Sequence, residues 1–170
     1  MRSLIYSRMR ATIAPSGLYR YTLEREWNAI APRIGFVMLN PSTADATSDD
    51  ATIRRCINFA QSWGYGAIEV VNLFGYRATQ PSQLRLTPDP IGSENDRYIL
   101  DMSQQAPEIV VAWGNYGHYL QRCQTVSRLL SDHQGVYCLG MTQSGHPRHP
   151  LYLKRDAARI AFSHAPFSNN

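Results

Sequence analysis

Four short apolar runs set the limits on what this chain can fold into. They cover residues 34–39, 68–73, 109–113 and 136–140. Each is too short for a core helix. They lead into polar or glycine-bearing turns: Asn40-Pro41-Ser42-Thr43, Asn72-Leu73-Phe74-Gly75, Gly114-Asn115 and Gly145-His146-Pro147. Continuous apolar runs of this length read as buried strands of a parallel sheet. Helical spacings lie between them. Ile53, Cys56, Ile57, Ala60 and Trp63 predict a helix over 52–63, capped by Asp49 or Asp50 and ended by Gly64. Ser93-Glu94-Asn95-Asp96 has the form of a capping box and opens a helix to about Ala106. Tyr119, Leu120, Cys123, Val126 and Leu130 predict a helix over 116–130, and a terminal helix is expected over 156–162. Strands alternating with helices give an α/β fold, three layers α/β/α around a four-stranded parallel sheet.

The segment ahead of this pattern is different. Residues 1–16 are polar and read as a loose lead-in. Residues 17–27 alternate, with Tyr19, Tyr21 and Leu23 on one side and Arg20, Thr22 and Glu24 on the other, as in an edge strand or hairpin. The expected organisation is one domain over 1–170 with its core at about 17–162. With 170 residues, 44% of them hydrophobic and 18% charged, the chain is long and apolar enough to close such a core.

No apolar run approaches a membrane span, and no apolar signal segment follows Arg2, Arg8 and Arg10. Cys56, Cys123 and Cys138 are odd in number and far apart, which points to a reducing cytoplasm rather than a disulfide framework. The net charge is +4, and of seventeen basic residues only Lys154 is lysine. Guanidinium suits bidentate phosphate contacts. Two accounts of the arginine stand side by side, a nucleic-acid partner and the codon usage of a GC-rich genome.

Parallel strands would line up their exits along one edge, where open α/β sheets bind ligands. That edge would offer Asn40, Pro41, Ser42, Asn72, Phe74, Asn115, His146 and His149. Amides that donate and accept, with an imidazole and an aromatic face, suit the rim of a heterocycle better than attack on an acyl group. Each has a plainer reading. Asn40-Pro41 also makes a turn, Asn72 also satisfies loop backbone, Phe74 also fills a core, and Asp49 and Asp50 also cap helices. Gly145-His-Pro-Arg-His-Pro150 is the segment least suited to a plain loop. Its prolines exclude a regular helix carrying both imidazoles, and no CxxC or HExxH accompanies them, so neither metal nor cofactor is expected. No P-loop, Gly-x-Gly-x-x-Gly or Gly-x-Ser-x-Gly pattern occurs.

From Tyr21 to Leu153 the chain resembles a family of small bacterial and phage proteins described only as a domain of unknown function. The residues that carry this are Met38-Leu-Asn-Pro-Ser-Thr-Ala-Asp45, Trp63-Gly-Tyr65, Val71-Asn-Leu-Phe74, Val111-Ala-Trp-Gly114 and Gly145-His-Pro-Arg-His-Pro-Leu151. Three shorter motifs resemble the uracil-DNA glycosylase superfamily. Leu39-Asn40-Pro41 is similar to its Asn-Pro motif, Asn72 to its strand-end Asn, and His146-Pro147 to its His-Pro loop. Arg148-His149 departs from the small residues usual in that loop, and no Asp stands directly beside Pro41.

This second resemblance implies a uracil-DNA-glycosylase-like fold and hydrolysis of an N-glycosidic bond in DNA. Asn40 would orient a water, Asn72 would hold the base edge and His146 would bond the base carbonyl. A flipped base would stack on Phe74. Arg148, Lys154 and Arg155 would contact phosphates. The expected partner is DNA or a nucleotide-like ligand, with no membrane and no obligate protein partner. Two alternatives stay open: a base or nucleotide sensor without turnover, and a nucleotide or nucleoside hydrolase with a cation on Asp45, Asp49 or Asp50.

Overall fold

A computed structural model describes residues 4–163. The elements are β1 (Arg8–Ile13), β2 (Arg20–Glu26), β3 (Arg33–Met38), α1 (Ala51–Ser62), β4 (Ala67–Asn72), α2 (Asn95–Gln105), β5 (Glu108–Val111), α3 (Arg122–Leu129), β6 (Val136–Cys138) and β7 (Ile160–Ala161). Short 3₁₀ segments span Pro81–Arg85, Asn115–Gln121 and Pro150–Tyr152.

All described strands join one seven-stranded mixed sheet in the order β1-β2-β4-β3-β5-β6-β7. Within it β4, β3, β5 and β6 run parallel, with Phe36 opposite both Val70 and Val110, and Val111 opposite Cys138. β1 and β2 form an antiparallel hairpin docked on β4, and β7 closes antiparallel on β6. The sheet is therefore wider and more mixed than four parallel strands.

Strand parity divides the core. Ile34, Phe36 and Met38 pack with Ile53, Cys56 and Ile57 of α1, while Val37 and Leu39 pack with Ile99 and Met102 of α2 and Val126 of α3. Each such side chain fully buried contributes about 1.5–3 kcal/mol. Gly35 lets α2 approach closely, since a Cβ there would lie 2.2 Å from Met102 Sδ. The Asp50 carboxylate accepts from Ile53 N at 2.9 Å and starts α1. Gly64 follows at φ +87 and turns the chain into β4.

Four expectations are corrected. Residues 8–13 are not loose: polar alternation here is an edge strand, with Arg8 and Arg10 outward. Residues 156–162 are not a helix. Phe162 is buried against Trp113 and its N–H bonds Val136 O at 2.9 Å, which draws Ile160–Ala161 into the sheet. The capping box does not form, and α2 begins at Asn95 with no side-chain cap from Glu94. Residues 116–130 are not one helix. The 3₁₀ segment presses on Trp113, where a Cβ on Gly117 would lie 2.3 Å from Cδ1, and Leu120 and Gln121 then take left-handed φ values of 51 and 56 before α3 starts.

Candidate functional site

β3 lies inside the parallel strands. The chain passes from it to β4 on one side, then returns across it to β5 on the other. Open α/β sheets place their ligands at such a reversal, which here falls at the carboxyl ends of β3 and β5. Backbone bonds tie the exits together: Leu73 N–H to Met38 O at 2.9 Å, Phe74 N–H to Leu39 O at 3.0 Å, and Gly114 N–H to Pro147 O at 2.8 Å. At about 4.8 Å per strand, four exits cover roughly 15 Å.

At the β3 exit Asn40 is half-buried, and its Nδ2 donates to Pro41 O at 3.0 Å and Ala78 O at 2.8 Å. Two carbonyl partners fix the amide orientation and leave Oδ1 as the acceptor. Pro41 is buried and its carbonyl also receives Ala78 N–H, so this turn is braced. Ser42 is half-buried.

At the β4 exit Asn72 is 1% exposed, and among the described residues neither its Nδ2 nor its Oδ1 has a partner. Its backbone is held firmly: Asn95, fully buried, donates through Nδ2 to Asn72 O at 2.8 Å and Leu73 O at 3.1 Å. Arg122 Nε adds a bond to Leu73 O at 2.9 Å. Phe74 is fully buried and meets the Tyr119 ring at 5.6 Å.

The β5 and β6 exits share a connected group. Gly114 takes φ +73, and Asn115 follows, exposed. Thr142 Oγ1 donates to Asn115 Oδ1 at 2.6 Å, while the His146 backbone exchanges bonds with Thr142. The His146 ring is 8% exposed and lies 5.9 Å from that of His118. Burial, then the neighbouring His118, holds His146 below the usual imidazole range. His118 Nδ1 contacts Asn115 O at 2.6 Å, so Nδ1 donates a hydrogen bond to that carbonyl. His149 is half-buried behind Gly114, with its Nδ1 accepting from Leu151 N–H at 3.2 Å. Burial lowers its pKa, opposed by Asp50.

The basic residues divide. Arg148 is exposed beside His146-Pro147, with Nε on Met141 O at 3.3 Å. Arg155 lies instead in a hollow of about 280 Å³ along the outer face of α1, with Arg55, Asn58, Phe59 and Ser62. Lys154 is exposed next to it in the chain.

Sequence reasoning passed over Arg20, His118 and Thr142. Arg20 stands in an alternating strand and reads as a solvent-facing charge, yet it is 2% exposed. His118 and Thr142 carry no motif, and the fold alone brings them beside Asn115.

The fold and its edge define an open α/β domain built on a mixed sheet. The chain belongs to the family described as Protein of unknown function (DUF1643), whose model matches residues 20–151. All four strand exits, Arg20 and Arg148 fall inside that span; Lys154 and Arg155 fall outside it. Comparison with curated proteins gave no match, and comparison with solved structures gave none. Among the described residues no helix is long and apolar enough to cross a membrane.

Proposed function

We propose that the exits of β3, β4, β5 and β6 receive a nucleobase and that the protein hydrolyses its N-glycosidic bond in DNA, on a uracil-DNA-glycosylase-like core. The observation that carries this reading is Asn72. A buried amide with neither end bonded costs about 1–3 kcal/mol per group, and such a cost calls for a reason. A heterocycle with one donor and one acceptor on its edge supplies both missing bonds. Four parallel strands flanked by helices support the fold assignment. Asn40 Oδ1 is available to orient a water. His146 is neutral at neutral pH and suits a hydrogen bond to a base departing with negative charge. Arg148, exposed beside His146-Pro147, would contact phosphate or fill the gap left by a flipped base.

A gel assay for abasic sites tests this, with oligonucleotides carrying uracil, mismatched or oxidised bases under single-turnover conditions. The expected outcome is base release that Asn40→Ala abolishes and His146→Ala slows by about 100-fold. Cleavage by Asn40→Ala at the wild-type rate overturns the role of Asn40.

One observation favours a second reading, a base or nucleotide sensor without turnover. The carboxylates after β3 are otherwise engaged. Asp45 binds Thr47 and Ser48, Asp49 binds Arg25, and Asp50 caps α1. None is left beside Asn40 to activate a water. They do not gather for a cation either: among the described residues no three His, Cys, Asp or Glu groups form a metal site. Base binding without release from any substrate selects the sensor.

A further inference from the structure

Among the described residues three arginines are buried: Arg20, Arg25 and Arg122. Arg25 meets Asp49 at 2.7 Å and Arg122 meets Asp96 at 2.6 Å. Arg20 has no carboxylate in contact among the described residues. Among the described residues its guanidinium makes one hydrogen bond, from Nη1 to Ala44 O at 2.8 Å, and its buried Nε has no partner. Burial pulls its pKa down to about 10, so it remains a cation at neutral pH. A buried charge without a contact counter-ion is expensive, and the two neighbouring arginines show the ordinary solution.

The bond to Ala44 leaves the Nε–Nη2 edge of the guanidinium, the fork that grips an oxyanion with two parallel hydrogen bonds. The chain holds Arg20 beside the β4 exit, since Tyr19 bridges Tyr76 there. Arg20 N–H bonds Gly75 O at 3.0 Å, holding it at the β4 exit. The surrounding charges are Asp50, Arg77, Arg25 and Asp45. Asp45 and Asp50 are tied to backbone N–H groups and Arg25 to Asp49, so none of these carboxylates meets the Arg20 fork.

We propose that Arg20 forms an oxyanion subsite for the phosphate of the nucleotide whose base enters the strand exits. The phosphate class rests on the nucleobase reading above; the oxyanion site rests on Arg20 itself. The phosphate belongs either to a free mononucleotide or to a nucleotide flipped from a strand.

The test is calorimetry on the full chain. The probes are inorganic phosphate, the common deoxynucleosides and deoxyuridine, each of these with and without a 5′-phosphate, and a uracil-bearing single strand. Inorganic phosphate is expected to bind and to raise the melting temperature. At least one monophosphate is expected to bind roughly tenfold tighter than its nucleoside, the worth of a charge-assisted pair. Arg20→Gln, which keeps a donor for Ala44 O, is expected to erase that gain and leave nucleoside affinity unchanged, and Arg20→Lys to retain part of it. If Arg20→Gln does not fold, the wild-type comparison of phosphate, nucleosides and monophosphates still decides.

Phosphate binding lost in Arg20→Gln, with no nucleoside bound, keeps the subsite and defeats the nucleobase reading. Nucleosides binding as tightly as their monophosphates, with inorganic phosphate unbound, defeats the subsite and keeps that reading. A strand that competes with the monophosphate and weakens in Arg20→Gln assigns the phosphate to a flipped nucleotide. A strand that does not compete assigns it to a free one.

Discussion

Segment 45–50 and the exit of β4 lie on either side of Arg20 and treat polar groups in opposite ways. In the segment every carboxylate has a task. Asp45 Oδ1 gathers Thr47 N–H and Ser48 N–H at 2.8 and 2.9 Å, Asp50 caps α1, and Asp49 is shared between Arg25 and the Tyr6 hydroxyl. Arg25, fully buried, also donates to Asp45 O and Ser48 O, pinning the loop to the hairpin. At the β4 exit Asn72 and the Arg20 Nε are as well covered and are left unbonded. Saturated groups of this kind hold a fold together. Unsaturated ones in equal burial weaken it, and the proposed ligand would account for their retention.

Four measurements break or sharpen that contrast. Asp49→Ala leaves Arg25 buried and unpaired, and is expected to remove about 3–5 kcal/mol in urea unfolding. A loss below about 1 kcal/mol, the range of an exposed pair, would show that the segment is not held as described. Asn95→Leu removes the donor to two exit carbonyls, of which Leu73 O keeps Arg122, and is expected to lose about 1–3 kcal/mol.

Asn72→Leu is expected to behave in the opposite sense. It replaces an unbonded amide by a side chain of similar size, so unfolding should shift by no more than about 1 kcal/mol, with a gain favoured. Base binding should disappear in the same variant. A large loss of stability would return Asn72 to a structural role.

The smallest effect concerns acid. His149 and His146 are both held below their unfolded value of 6.5. Folding therefore favours their neutral forms. Their contribution is fully present above pH 6.5 and declines as pH falls through the lower folded values. Protonation of His149 Nδ1 also removes the acceptor for Leu151 N–H. Unfolding free energy measured at several pH values should decline on the acid side, with a shallower slope in His149→Gln.

The parts of this fold legible in sequence were those written in apolar spacing. Ile34, Phe36, Val110 and Val136 announce parallel strands, and Ile53 with Asp50 announces α1 and its cap. What spacing does not report is a contact made from far along the chain. Phe162 turns a helix-compatible tail into a strand because Trp113 and Val136 receive it. Trp113 likewise breaks the helical pattern after Tyr116 by occupying the space beside Gly117. In the site, Asn40, Asn72, Asn115 and His146 could be named because strand ends are places where polar residues interrupt apolar runs. Arg20 could not, because alternation states which side a charge faces and not what later covers that side.

The borders of the sheet carry a consequence of their own. β1 runs along an open edge for six residues, and β7 closes the other edge with only two. Unpaired backbone on a long flat edge is a template on which a second copy can lay its own strand, the first step toward stacked aggregates. Here the long edge bears a guanidinium at Arg8 and again at Arg10, both turned outward, and the apolar edge is too brief to nucleate pairing. Like charges would meet across any such junction. Charge on an edge strand disfavours that pairing whatever the protein binds, so these two arginines bear on crowding rather than on phosphate.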